Sequence, residues 1–267
     1  MVANILRLCG LYLGPEHQML ATRLGNSDGH WENREFLALN DQVLARLGGD
    51  WAKPPPEDHS NFHKLDRERE SAERLVSQFA GYTWWGWKDP RNCLTLPFWL
   101  DFFPHMKVII CLRHPLEAVR SLERRSDEIV QTNWPRLSSS SAGLRLWRVL
   151  DRATSQMRLR PRNFFPTEHW LTLWEIYNSR VIDFTRPEQR LVTHYVSYLT
   201  QPRAEIERLL KFLSMPYSEE ILTRSSAVIS SRLRHQQLTA GEIRQAGVSG
   251  KIAALYRRLC EEAFVNT

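Results

Sequence analysis

Lys88, Arg91, Arg113 and Ser121 are the residues whose types and spacing could grip an anion. Arg113 directly follows the apolar run MKVIICL (106–112) and lies just before Pro115, a residue suited to the first turn of a helix. Ser121 stands eight residues after Arg113, roughly two helical turns along. A bulky tetrahedral anion held between that guanidinium and that hydroxyl would be fixed by charge-assisted hydrogen bonds. Lys88 and Arg91 belong to a second charged loop, Lys88-Asp89-Pro90-Arg91, which closes the aromatic run Thr83-Trp84-Trp85-Gly86-Trp87. Loops at strand ends are where α/β sheets keep their ligands.

The elements that must carry these residues read as follows. The aromatic run 83–87 is short and rich in β-favouring residues, and it stops at a proline, so it predicts a strand. The run 106–112, nearly unbroken in apolar residues, predicts a central parallel strand. The helix after it, 115–125, has Leu116, Val119 and Leu122 at sheet-packing spacing. Further helices are predicted at 1–9, stopped by Gly10; over Phe36 to Leu47, stopped by Gly48-Gly49; at 62–79, with charges of mixed sign; and at 91–103, apolar nearly all round and containing Pro97. Thr167 to Phe184 is a clear helix, residues 190–195 a short strand ending in a packed histidine, His194, and Pro202 opens a helix to Leu213. Ile252 to Phe264 closes the chain as an amphipathic helix, and residues 126–166 read as a flexible or lid-like insertion.

Composition narrows the function classes. The chain has 267 residues, 42% of them apolar and 10% aromatic, and no run approaches the roughly 20 apolar residues a membrane span needs. A single domain over 1–267 is expected, with no export signal and a cytoplasmic location. Cys9, Cys93, Cys111 and Cys260 form no C-x-x-C pair, so neither a zinc site nor a redox motif is indicated, and they read as small buried hydrophobes, Cys111 most clearly. The net charge of +6 favours an anionic partner. The arginines are spread along the chain instead of clustered with aromatics, and a polyanionic nucleotide fits as well as nucleic acid. Gly247-Val248-Ser249-Gly250-Lys251 fails as a phosphate loop, because Gln245 and Ile252 stand where glycine and Ser or Thr are required.

The run Cys111-Leu112-Arg113-His114-Pro115, with Ser121 following, resembles the 3′-phosphate-binding motif of sulfotransferases that use 3′-phosphoadenosine-5′-phosphosulfate (PAPS). The run Gly86 to Arg91 is similar to a lysine-containing motif in bacterial and Golgi-type members, and the later strand and helix also resemble that family. The resemblance implies a three-layer α/β fold with a mostly parallel sheet, related to P-loop nucleotide-binding proteins. It lacks the first strand and glycine-rich loop, as though the chain were truncated before its phosphosulfate-binding segment. It further implies transfer of a sulfuryl group from PAPS to a hydroxyl or amine of a small-molecule, sugar or lipid acceptor, without a metal, a membrane span or nucleic acid. Lys88 would stabilise charge on the bridging oxygen, and Arg113 and Ser121, with Lys88 and Arg91, would hold the nucleotide. Glu32 or His30 would take the acceptor's proton, with Glu32 favoured because similar bacterial enzymes carry a glutamate near this place. Two alternatives remain open: a relative that binds the nucleotide without transferring sulfate, and a basic nucleic-acid-binding or interaction domain.

Overall fold

The computed structural model describes residues 1–20, 31–57, 64–124, 166–229 and 248–265. His30, Arg125 and the lid-like stretch, apart from Pro166 at its end, lie outside these residues.

Two segments predicted as strands pair side by side. β1 (Val108–Leu112) runs parallel to β2 (Arg190–His194), with Val108 opposite Arg190 and Leu112 opposite His194. Parallel pairing requires a crossover, and α6 (Thr167–Phe184) lies within it, its length matching the apolar periodicity of its sequence. Alternation along the strands divides the core into two faces. Ile110, Leu112 and Val192 point to one side, into a cluster with Trp174, Val181 and Ile182 of α6 and Ile252, Tyr256 and Leu259 of α10 (Gly250–Glu262). Ile109 and Leu191 point to the other side, against α1 (Val2–Leu8), α8 (Pro202–Leu213) and α9 (Glu219–Ala227). Helices on both faces of a parallel sheet give the three layers expected of this α/β class. Between β2 and α8 lies the short α7 (Tyr195–Thr200).

The aromatic run 83–87 departs from its prediction. It makes a single parallel bridge, Tyr12 to Trp85, in which Tyr12 N donates to Trp84 O (2.9 Å) and Gly86 N to Tyr12 O (3.0 Å). Past that bridge the run continues into a third, aromatic core, which Tyr12, Trp85 and Trp87 all join. Trp87 stacks on Phe36 (4.4 Å between ring centroids) and its Nε1 donates to Asn92 Oδ1 (2.9 Å). Phe36, Phe79, Phe98 and Trp99 complete this aromatic core between α2 (Arg34–Arg46), α3 (Asp66–Ser77) and α4 (Asn92–Phe102). α4 carries Pro97 within it, as its sequence indicated.

Cys111 is likewise a correction. It is exposed, whereas Cys9 and Cys260 are buried: alternation puts Ile110 and Leu112 in one core and Cys111 on the face of Ile109, at a position that the helices packed on that face leave uncovered. Among the described residues β1 has a ladder partner on one side only. At the outer side of β2, Arg208 of α8 folds back over the strand. Its Nη2 donates to Val192 O (2.8 Å), while Nε and Nη2 bond Glu205 (3.0 and 2.7 Å).

Candidate functional site

Residues 31–33 are pinned before α2 begins. Leu20 N donates to Glu32 O (2.9 Å), Met19 and Asn33 form an antiparallel bridge, and the Asn33 side chain caps α2 by accepting from Glu35 N (2.9 Å). Trp31 takes a left-handed backbone (φ 52°), and the Arg7 guanidinium lies over its ring at 4.4 Å. Glu32 is thereby presented to Lys88, 56 positions away in sequence, and Lys88 Nζ donates to Glu32 Oε1. The carboxylate is largely buried while the lysine side chain is 44% exposed, so the pair opens on its cationic side.

The loop after Lys88 is bolted to α2 and α4. Asn40 uses every hydrogen-bonding position it has. Its Nδ2 donates to Asp89 Oδ2 and Asn92 Oδ1 (both 2.9 Å), and its Oδ1 accepts from Thr95 Oγ1 (2.9 Å) and Trp99 Nε1 (2.8 Å). Arg91 lies inside this frame, with Nε 2.6 Å from Asp41 Oδ1 and Nη1 3.1 Å from Asp89 Oδ1. Burial raises the Asp41 carboxyl above its ordinary value, against the lowering influence of Arg91. The structure thus places Arg91 among carboxylates that consume its charge, and Lys88 at the open end of the same loop.

The second group stands at the C-terminal end of β1. A helix over residues 115–124, α5, follows Arg113. Arg113 Nε donates to Glu117 Oε2 (3.2 Å), one turn on, and Ser121, half-buried, lies one further turn along the same stripe. The Arg113 guanidinium lies 5.0 Å from the Tyr195 ring, and its backbone carbonyl accepts from Trp174 Nε1 (3.2 Å). Behind it, His194 is buried and neutral. It accepts from Val196 N through Nδ1 (3.1 Å), its Nε2 lies 3.1 Å from Tyr256 Oη, and burial lowers its pKa to about 4. His114 packs edge-on to the same tyrosine at 5.1 Å between ring centroids.

Cys111 stands two residues before Arg113. The positive charge of Lys88 acts on its thiol. Lys88 therefore lies within electrostatic reach of the strand that ends in Arg113. A fixed cation paired with a carboxylate, and at the end of β1 a half-open guanidinium with a hydroxyl two turns away, are groups that can hold an anion and move a proton. His30 lies outside the described residues, so Glu32 is the base candidate whose surroundings are seen. A separate depression of about 460 Å³ lies at the other end of β2, near Arg190, Arg208, Arg258 and Phe264. Its three arginines face Glu205, Glu261 and Glu262, which leaves it no excess positive charge for an anion.

Comparison with known protein families places a match over residues 51–219, to a model described as the sulfotransferase family. The chain belongs to the sulfotransferase family. The matched span contains Lys88, Arg91, Arg113 and Ser121 and both strands, and excludes Glu32. Comparison with curated proteins and with solved structures gave no match. Membership assigns a transferase acting in sulfuryl transfer, and no helix among the described residues is long and apolar enough to cross a membrane.

Asn40, Asp41, Glu117 and Tyr195 were missed by sequence reasoning. Asn40 and Asp41 fall at α2 positions that periodicity places on the inner face, beside Phe36, Leu39, Val43 and Leu44. A polar pair on an apolar stripe was the available signal. Glu117 stands four residues after Arg113, the spacing of a helical ion pair.

Proposed function

We propose that this sulfotransferase takes its sulfuryl group from PAPS and delivers it to a hydroxyl or amine of a small-molecule, sugar or lipid acceptor. Glu32 brought against Lys88 is the observation that carries this reading, because transfer needs a cation where negative charge leaves and a base where a proton leaves. Arg113 and Ser121 hold the 3′-phosphate of the nucleotide. Arg91 acts from behind, fixing the loop that carries Lys88.

The acceptor oxygen (or nitrogen) forms its bond to sulfur as the bond from sulfur to the 5′-phosphate oxygen breaks. The electron pair of that bond leaves with 3′-phosphoadenosine 5′-phosphate (PAP), and Lys88 neutralises the developing charge. Glu32 receives the acceptor's proton. As in phosphoryl transfer, positioning and charge neutralisation carry most of the catalysis.

Calorimetric titration with PAP tests the nucleotide assignment. Saturable binding by the wild type and its loss in Arg113→Ala are expected. Equal binding by both proteins would remove Arg113 from the site. PAP binding with no sulfate transfer from PAPS would identify a nucleotide-binding relative. Nucleic acid is the weaker partner, because Arg91, Arg180, Arg190 and Arg208 each have a carboxylate within 4 Å, leaving these charges matched instead of massed.

A further inference from the structure

We infer that Glu117 is a positioning residue that presets Arg113 for the nucleotide's 3′-phosphate; the inference rests on the assignment of Arg113 to that phosphate. An arginine side chain has four rotatable torsions, and ordering it costs binding energy unless the free protein has already ordered it. Here the ordering is built in. Glu117 is largely buried (9% exposed) and engages Nε alone, at 3.2 Å. Tyr195 supplies a ring beneath the guanidinium at 5.0 Å, and Trp174 holds the Arg113 carbonyl at 3.2 Å. No hydrogen bond from Nη1 or Nη2 is seen among the described residues, so the end of the guanidinium suited to bidentate capture of a phosphate is left to a ligand. Glu117 also lies between Arg113 and Ser121 on the helical stripe, so the carboxylate reaches back to the arginine while the hydroxyl remains for the same anion.

The carboxylate has a second effect of opposite sign. A negative group this near a bound phosphate repels it, so if repulsion dominated, removing Glu117 would tighten binding. The direction of the change therefore separates positioning from mere proximity.

The experiment compares PAP with adenosine 5′-phosphate, which lacks the 3′-phosphate, by calorimetry on the full chain. Glu117→Met fills the space without an acceptor, Glu117→Ala serves as a second truncation, and Glu117→Gln keeps an oxygen for Nε while removing the charge. In Glu117→Met the Kd for PAP is expected to rise about tenfold, with adenosine 5′-phosphate within about twofold of wild type. Glu117→Gln is expected to bind PAP at least as tightly as wild type. Unchanged or tighter PAP binding in both truncations overturns the inference, as does equal weakening toward the two nucleotides, which would mark a structural role. A wild type that does not prefer PAP overturns the 3′-phosphate assignment itself, and this inference with it. Preference lost in Arg113→Ala but kept in Glu117→Met overturns this inference alone.

Discussion

Two arginines follow the two charged loops, and their surroundings differ in one respect that decides what each can do. Arg91 is enclosed, 16% exposed, with carboxylates at both Nε and Nη1. Arg113 is more open at 25%, with one carboxylate at Nε and an aromatic ring below. A guanidinium whose edges are spent on Asp41 and Asp89 is part of the frame. One held only at its base can still receive a ligand. Family-level resemblance does not separate the two, since both stand in basic loops at the ends of sheet segments. The difference lies in acidic residues distant in sequence or one turn away.

The contrast can be broken first at Arg91. Arg91→Ala leaves two buried carboxylates without a cation and should cost about 3–5 kcal/mol in urea unfolding; a loss below about 1 kcal/mol would mean that Arg91 is no part of the frame. Asn40→Ala removes the residue that joins Asp89, Asn92, Thr95 and Trp99, and about 3 kcal/mol of stability should go with it. The sulfotransfer rate should fall as well, because Lys88 loses its anchored loop, while PAP affinity stays near wild type.

A smaller effect sharpens the other side of the comparison. His194 is held neutral, with its pKa lowered to about 4 by burial, whereas the unfolded chain takes up its proton near 6.5. Between those values the unfolded state binds more protons, so the stability His194 contributes is complete above pH 6.5 and lost as the pH falls toward 4. At pH 5 the loss should be about 2 kcal/mol relative to pH 7, and His194→Gln should remove that part of the slope. A variant with the wild-type slope would place the proton uptake elsewhere. The smallest change in stability is expected from Arg113→Ala, about 1 kcal/mol, even though its effect on PAP binding is the largest of any variant here. A loss comparable to that of Arg91→Ala would erase the distinction between the two arginines.

Much of this was legible in the sequence because local signals agreed. Thr167–Phe184 and Pro202–Leu213 were bounded by their own periodicity and by Pro202, and the Val108–Leu112 strand by its apolar run. The Cys111–Pro115 run with Ser121 carried the family. What was illegible depended on partners far away in sequence. The β-favouring residues of 83–87 predicted a strand, but the run makes one bridge, to Tyr12, and Trp87 stacks on Phe36, 51 positions earlier, in the aromatic core. Cys111 looked buried because its neighbours are apolar, but alternation puts it on the face opposite Ile110 and Leu112, where it is exposed. Glu32 could be suspected as a base, but its contact with Lys88 joins segments 56 positions apart.

Arg208 reaches over the outer side of β2 and occupies the Val192 carbonyl. A strand border with free carbonyls invites another chain to add itself, copy upon copy. By filling that position with a cation already tied to Glu205, the molecule denies a neighbour its docking rung and discourages fibrous self-association there.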